Sequence, residues 1–505
     1  MAFSRRVAGR DDAATPGAMT DLAAGPFATE VDEAEEPAPA KARRPALPQI
    51  DFEMPDAQGA LFWLAAIAVL VAALALGANR PVSWLTLSVV ALVLFAAQVV
   101  LDVQDSRAAY RWRRLAPVVI LYLGVVTWAA FQALPAPLQS WAHPAWAQVA
   151  GVHGSISADP GMTWQGVLRF LGYAAIFWVA LRGAADRERA KAFIAVFALF
   201  SGILAFFGLL ALNLGQNPIV GKPFYETSVT ASFVNRNAYA LYAGFGAMAC
   251  LATLGFRLRS SHRDSGGPKR RALRDFFEML IQGGWVYMVS FFVIAVALVN
   301  TESRAGTAVS LVGIATILAI ILARGGGIWR LSIWAAVIVP LVAASLVAGG
   351  LGQRLLLTDP LTDGRLAVNE RTMAGIEAAP WLGHGLGSFQ DAFRPYATPD
   401  IGRAEWDLAH NAYLENAFEL GVPATLALLL AVALIGLRLI RGVRERRRMR
   451  AAPGLALAVL LAGALHSVVD FSLQMPATAA MLAMILGVGW AQSVRGVPVR
   501  DDERH

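Results

Sequence analysis

The chain has 505 residues, of which 57% are hydrophobic and only 16% charged, whereas about 25% of the residues in an ordinary soluble domain are charged. Together with a mean hydropathy of +0.53, this composition excludes a water-soluble enzyme. The single cysteine, Cys250, excludes an intrachain disulfide and a Cys-based zinc site. The net charge of +7 comes from Lys and Arg between apolar stretches, which favours membrane lipids over nucleic acid as the partner.

Residues 1–56 are rich in Ala, Pro, Asp and Glu, and we predict a disordered cytoplasmic tail. About twelve apolar stretches follow, each long enough to cross a hydrocarbon core of about 30 Å. They lie near 59–78, 83–101, 115–134, 164–182, 190–212, 237–255, 282–299, 305–323, 328–349, 418–437, 453–470 and 475–493. Each must be a helix, because a segment in lipid has to satisfy its own backbone hydrogen bonds. The sequence therefore predicts an all-α polytopic membrane protein.

Lys and Arg are concentrated in alternate loops, with basic runs at 269–274 and 441–450. The positive-inside rule then predicts that both termini are cytoplasmic and that a large loop lies outside, on the periplasmic side. The predicted divisions are the tail 1–56, the first nine spans in 57–349, the periplasmic loop 350–417, the last three spans in 418–494, and a cytoplasmic C-terminal tail 495–505.

The large loop contains three recognisable features. Residues 364–379 have helical spacing and predict an amphipathic helix that ends at Pro380. Residues 383–387, Gly-His-Gly-Leu-Gly, have no surrounding βαβ pattern, so a turn packed against other helices is favoured over a nucleotide loop. From Asp407 the sequence predicts a helix, capped by that residue, which continues into the tenth span.

Three polar residues occupy equivalent places in this topology. Arg236 opens the sixth span, Arg304 opens the eighth, and His410 lies in the helix that leads into the tenth. These spans run from outside to inside, so their positive dipole ends face the periplasm. An arginine there is disfavoured by its own helix, and we expect an anion to offset the repulsion. Alternatively, the arginines snorkel to headgroups or pair with Glu226 and Glu302.

The anion expected at this depth is the diphosphate of a polyprenyl-linked substrate, because arginine forms two parallel charge-assisted hydrogen bonds with phosphate. His410 is the candidate base, since a neutral imidazole near neutral pH takes a proton from a sugar hydroxyl. The alternative is a capping or core histidine bonded to Asp407. His466 and Asp470, four residues apart in the eleventh span, are interpreted as a structural pair or as support behind the site. No metal motif is recognisable, and we predict no metal.

Five stretches resemble the bacterial O-antigen ligase and O-antigen polymerase superfamily. They are SFVNRNAYA (232–240), ESRAG (302–306), GRLAVNERTMAGIEAAPWLGHGLGSF (364–389), AHNAYLENAFELG (409–421) and LHSVVDFSLQMPA (465–477). Their order also matches: many spans, a large loop before the His-Asn helix, then a few closing spans. The resemblance covers roughly residues 160–490.

This resemblance implies a metal-independent and cofactor-independent membrane glycosyltransferase of GT-C-like architecture that acts on glycans linked to undecaprenyl diphosphate. The acceptor is the lipid A core in the ligase branch and a second lipid-linked glycan in the polymerase branch. By resemblance, His410 is the base or orients the acceptor, and Arg236 and Arg304 bind the diphosphate. Further substrate contacts are expected from Arg365, Arg371, Asn411 and Asn237.

The choice between the two branches stays open, with the ligase favoured. The long N-terminal tail departs from the best-known ligases, and the pair His466 and Asp470 is more typical of exopolysaccharide-type members. A polyprenyl-glycan flippase or transporter is the alternative from another class, and it predicts internal repeats and ionisable residues at mid-membrane. We find no convincing repeat and few such charges. A scaffold for polysaccharide export would leave His410 without a role.

Overall fold

The structure is a computed structural model that describes residues 56–104, 108–217, 227–261, 277–322, 364–398, 406–446 and 449–494. Within these ranges the chain forms helices and contains no β-strand. Nine of the described helices are long and apolar enough to cross a membrane. The predicted all-α polytopic class is therefore confirmed. The predicted span 328–349 and the two predicted terminal tails, apart from Asp56, lie outside the described residues.

The predicted spans other than 328–349 coincide with helices, and three shorter helices lie in the large loop. In chain order the helices are α1 (Ala57–Leu74), α2 (Pro81–Gln104), α3 (Ala108–Gln132), α4 (Pro160–Gly183), α5 (Arg187–Leu214), α6 (Arg236–Ser261), α7 (Trp285–Asn300), α8 (Arg304–Leu322), α9 (Gly364–Ala378), α10 (Phe389–Phe393), α11 (Ala412–Leu420), α12 (Val422–Glu445), α13 (Ala451–His466) and α14 (Pro476–Ser493). A π-helical turn, Leu280–Gly284, precedes α7.

The centre of the bundle is formed by α6 and α14. Nearly all side chains of α14 are buried, as are most of those of α6. Glycine allows close approach here: a Cβ added at Gly487 of α14 would lie 2.5 Å from the carbonyl oxygen of Phe177 in α4. Small residues at such contacts are the usual means by which helices pack in lipid, because dispersion contacts replace the hydrophobic effect there.

Several loops meet at one end of this bundle, which we call the loop end. Backbone or side-chain hydrogen bonds join them: Ser232 Oγ donates to the Ala73 carbonyl at 2.6 Å, the Val229 N–H donates to the Asn300 carbonyl at 2.8 Å, and Gln132 Nε2 donates to the Leu382 carbonyl at 2.6 Å. The described residues of the large loop, with α9, α10 and α11, therefore lie at the same end as the starts of α6 and α8.

The large loop has a small core of its own. The predicted helix 364–379 is confirmed as α9, whose buried face contains Val368, Thr372 and Gly375. This face packs against Phe418 of α11, and the core is completed by Phe389 and other aromatic side chains. The amphipathic helix therefore buries its apolar face in protein.

The chain does not continue as one helix from Asp407 into the tenth span, so that prediction is wrong. Asn411 caps α11 in place of Asp407, because its side-chain oxygen accepts two backbone N–H groups of the first turn at 3.1 and 3.2 Å. Gly421, at φ +80°, then separates α11 from α12. Glycine adopts this conformation without the steric cost that a Cβ brings. α11 thus lies apart from the membrane-spanning segment.

A further expectation is corrected at α13. α13 ends at His466, and Asp470 follows in a turn, so the two residues do not share a helix face.

α4 carries a buried charge. Arg182 is buried at the end of α4 opposite the loop end. There its Nε lies 2.6 Å from Asp102 Oδ1 of α2, and the Trp178 indole N–H donates to the other carboxylate oxygen at 2.8 Å.

Candidate functional site

Arg236 is placed by the cap of α6. The side-chain oxygen of Asn235 accepts the backbone N–H groups of Asn237 and Ala238 at 2.8 and 3.1 Å, so Arg236 becomes the first residue of the helix. Its Nη1 lies 3.2 Å from Glu302 Oε2 and 3.1 Å from Ser228 Oγ. The alternative pairing with Glu302 is therefore present, and Glu226 lies outside the described residues. Both partners of this ion pair are exposed to solvent, with 36% and 52% of their side chains accessible.

Arg304 opens α8 two residues after Glu302. Glu302 has a left-handed backbone, with φ +54°, and so makes the turn between α7 and α8. Ser303 then caps α8, because its Oγ accepts the Gly306 N–H at 3.2 Å. Arg304 itself is partly buried. Arg236 and Arg304 therefore each begin a helix, and Glu302 pairs with the first and precedes the second by two residues. The helix dipoles add to the positive charge at both helix starts.

The start of α6 is joined to the turn after α13. Asn237 Nδ2 donates to Asp470 Oδ2, and the Phe471 N–H donates to Asp470 Oδ1 at 2.7 Å. Asp470 and His466 are both buried. Asp470, predicted as a structural or supporting residue, thus contacts the residue that follows Arg236.

His410 lies in a turn before α11 and beside Phe471, the residue that follows Asp470. Its ring is edge-on to the rings of Phe471 and Trp406, with centroids 4.8 and 5.8 Å away. On its C-terminal side, the Ala412 N–H donates to the Ser467 carbonyl at 2.9 Å. The structure therefore brings His410, Asp470 and Asn237 into one set of contacts, adjoining Arg236.

Two other histidines at the loop end, His143 and His384, differ from His410 in burial. His143 and His384 are both buried, with ring centroids 5.2 Å apart. Burial lowers the pKa of His143 to about 4 and lowers that of His384 as well. His384 Nε2 donates to the Gly375 carbonyl at 3.0 Å. These two imidazoles are packing elements, whereas His410 keeps partial access to solvent.

Of the two auxiliary arginines, Arg365 and Arg371, the structure describes the side chain of Arg371 alone. The side chain of Arg365 lies outside the described residues. Arg371 is partly buried on α9, whose buried face contacts Phe418 near the C-terminal end of α11. His410 precedes the other end of that helix, which has nine residues and is therefore about 13 Å long.

The glycine-rich turn 383–387 packs against the C-terminal end of α11, as predicted. The His384 N–H donates to the Phe418 carbonyl at 3.0 Å, and the Gly385 N–H donates to the Glu419 carbonyl at 2.9 Å. Gly383 and Gly385 have φ of +67° and +105°. The N–H groups that a nucleotide loop would present to phosphate are here used to satisfy helix carbonyls.

Sequence reasoning missed two buried carboxyl groups on α11. Glu415 and Glu419 are 1% and 4% exposed. Glu415 Oε2 accepts the Ala409 N–H at 2.9 Å and Oε1 accepts from Gln474 Nε2. Glu419 Oε1 accepts the Phe389 N–H at 3.1 Å. The sequence feature that could have revealed them is their spacing of four residues, which places both on one face of a helix. The same face also carries buried apolar residues.

Burial sets the protonation of this pair. It raises the pKa of Glu415 to about 8 and that of Glu419 to about 7. The charge of Glu419 raises the pKa of Glu415 further, while Arg169 of α4 lowers both. The Arg169 guanidinium lies 5.3 Å from the ring centroid of Trp84. This arginine, inside a predicted span, was also missed, because one charge does not interrupt an apolar window.

Among the described residues, no group of three or more His, Cys, Asp or Glu side chains is arranged to hold a metal ion.

Residues 289–429 match the family model described as O-antigen ligase. The matched stretch contains Arg304, His410 and the glycine-rich turn, and it leaves out Arg236 and Asp470. No curated protein matches the chain. The resemblance to the O-antigen ligase superfamily is thereby confirmed.

The raised pKa values predict how the stability of the protein depends on pH. A carboxyl whose folded pKa exceeds its unfolded value stabilises the fold fully below the unfolded value of 4.5, and this contribution is lost as the pH rises through about 8. Glu415→Gln should therefore reduce the fall in melting temperature between pH 5 and pH 8.5. In the wild type the corresponding loss in the free energy of unfolding is on the order of a few kcal/mol. Melting curves in detergent measure it. The control is Glu377→Gln on the exposed face of α9, and equal slopes in both variants would contradict the assignment.

Proposed function

We propose that this member of the O-antigen ligase superfamily is a metal-independent glycosyltransferase that transfers a glycan from undecaprenyl diphosphate to an acceptor at the periplasmic face of the bacterial inner membrane. The family match supports a membrane enzyme of ligase or polymerase type. The observation that carries the proposal is the convergence at the loop end. Asn237, which follows Arg236, donates to Asp470, and Phe471, which follows Asp470, packs against the His410 ring, although these residues are distant in sequence.

The diphosphate binds between the starts of α6 and α8. Arg236 and Arg304 supply guanidinium groups there, and the helix ends add their dipoles. The ion pair of Arg236 with Glu302 is solvent-exposed, and such pairs contribute about 0–1 kcal/mol. A diphosphate, which carries more charge than one carboxylate, displaces Glu302 at little cost. Asn237 and Asn411 remain proposed as further substrate contacts, as do Arg365 and Arg371 from the large loop.

The reaction is a single displacement at the anomeric carbon with inversion. His410 takes the proton from an acceptor hydroxyl, whose oxygen forms the new bond to that carbon. The bond from the carbon to the diphosphate oxygen breaks, and its electron pair leaves with undecaprenyl diphosphate. Arg236 and Arg304 stabilise the negative charge that develops on this leaving group.

The ligase reaction, with the lipid A core as acceptor, is our first candidate. The repeat-unit polymerase, in which a second lipid-linked glycan is the acceptor, is the second. The buried pair His466 and Asp470 favours the second candidate, since that motif is more typical of exopolysaccharide-type members. Both candidates use the same donor, leaving group and base.

Replacing the base should abolish transfer. Purified protein in vesicles, given a glycan on undecaprenyl diphosphate and an acceptor, is expected to release undecaprenyl diphosphate. His410→Ala should lower this rate by about 10²-fold or more, with donor binding within about twofold of the wild type. The control is His153→Ala, which changes an exposed loop-end histidine. An unchanged rate in His410→Ala would remove this residue from the base role, and a wild-type protein that moves the lipid without releasing the diphosphate would be a flippase.

The proposed orientation predicts which thiols react from outside. In a Cys250→Ala background, which removes the buried native thiol, Gln139→Cys at the loop end should react with a membrane-impermeant maleimide in intact cells. Glu188→Cys, at the start of α5 and 79% exposed, should react only after the inner membrane is permeabilised. The reverse pattern would place the proposed site in the cytoplasm.

Deleting the gene should distinguish the two acceptors. The ligase predicts that polymer disappears from lipid A while free polymer is still made. The polymerase predicts that single repeat units accumulate instead. Gel electrophoresis of the surface glycans measures both outcomes, and complementation with the wild-type gene and with His410→Ala provides the controls.

A further inference from the structure

His410 is held in an unfavourable backbone conformation. Its φ is +56°, in the left-handed region that residues with a Cβ adopt rarely. Such a conformation persists only where the surrounding contacts determine it. The contacts on the C-terminal side are the Asn411 cap and the hydrogen bond from Ala412 to the Ser467 carbonyl. On the N-terminal side, the Ala409 N–H donates to Glu415 Oε2 at 2.9 Å.

The other oxygen of Glu415 reaches a second segment of the site. Oε1 accepts from Gln474 Nε2, in the turn that begins with Asp470 and Phe471. Phe471 packs edge-on against the His410 ring, and Asp470 accepts from Asn237 at the start of α6. One carboxyl group therefore connects the turn that carries His410 to the turn that contacts the helix of Arg236.

Because Glu415 is buried, its stability depends on the hydrogen bonds that its two carboxyl oxygens accept. Its side chain lies on the buried face of α11, at 1% exposure, where a carboxyl group is costly unless its oxygens are hydrogen-bonded. Glu419 provides a matched control for Glu415, because it is buried to nearly the same extent one turn later in the same helix. Its carboxyl accepts from Phe389 and Gly387, in the glycine-rich turn at the other end of α11.

We propose that Glu415 is a positioning residue for the transfer reaction: its two carboxyl oxygens hold the His410 turn and the Asp470 turn at a fixed separation. The imidazole is thereby held in place relative to Arg236. This inference rests on the proposed function. Glu415 touches neither donor nor acceptor, and it acts through the geometry of His410.

The first test separates positioning from binding. With purified protein in vesicles, a glycan on undecaprenyl diphosphate as donor and a lipid A core acceptor, Glu415→Ala should lower kcat by about 10- to 100-fold, because a displacement of about 1 Å costs up to about 10²-fold. KM for both substrates should stay within about twofold. Where the acceptor proves to be a second lipid-linked glycan, the same measurement is made with that acceptor.

The conservative variant Glu415→Gln should retain most of the kcat that Glu415→Ala loses. In Glu415→Gln the side-chain carbonyl still accepts the Ala409 N–H, and the Gln474 amide rotates so that its own oxygen accepts from the new amide. We expect kcat within about threefold of the wild type. Glu419→Ala should lower the melting temperature as much as Glu415→Ala but lower kcat less. A Gln variant no better than Ala, or equal kcat losses at positions 415 and 419, would overturn the inference.

A double-mutant cycle tests whether the effect passes through His410. In a His410→Ala background the residual rate of transfer should not fall further when Glu415→Ala is added, because the group being positioned is already missing. Multiplicative losses would show that Glu415 acts elsewhere and would reject the inference. The wild-type control keeps the two claims apart: absence of transfer by the wild type rejects the proposed function together with the inference, whereas an active wild type with an equally active Glu415→Ala rejects the inference alone.

Discussion

The hydrogen bonds that α11 makes to the surrounding loops determine the geometry of the loop end. A helix of nine residues is too short to be stable alone in water. Its first turn is capped by Asn411, and its last carbonyls accept from the glycine-rich turn and from Trp128 Nε1 of α3, at 2.8 Å for the Leu420 carbonyl. Its two carboxyl groups bind three further segments. The helix is therefore stable only in this setting, and the same contacts fix the position of His410.

Backbone strain is concentrated at the same end. Among the described residues, the non-glycine residues with positive φ are Leu76, Ala78, Ala231, Glu302 and His410. All of them lie in turns at the loop end, and each costs on the order of 1–3 kcal/mol. Glu302 and His410 are the two that adjoin the proposed chemistry. Their turns place a carboxylate beside Arg236, at the start of α6, and an imidazole just before α11.

The sequence predicted the parts of the fold that the bilayer determines. Hydropathy located the helices because the thickness of the hydrocarbon core fixes their length, and the motifs predict Arg236, Arg304 and His410 as site residues. The break at Gly421, the Asn411 cap and the buried contacts of Glu415 were not predicted, because each depends on contacts between segments far apart in the chain. Local spacing shows that Glu415 and Glu419 share a face, but it does not show that loops cover that face.

Two pairs of arginine and carboxylate in this protein differ in their exposure to solvent. Arg182 and Asp102 are 2% and 7% exposed, whereas Arg236 and Glu302 are 36% and 52% exposed. Separating the first pair would leave a buried charge uncompensated, at a cost of about 3–5 kcal/mol, so it stays closed. In the second pair water solvates each partner when the other leaves, so that an incoming anion needs to supply little energy. The same side-chain chemistry therefore fixes α2 to α4 at one end of the bundle and forms a solvent-exposed ion pair at the other.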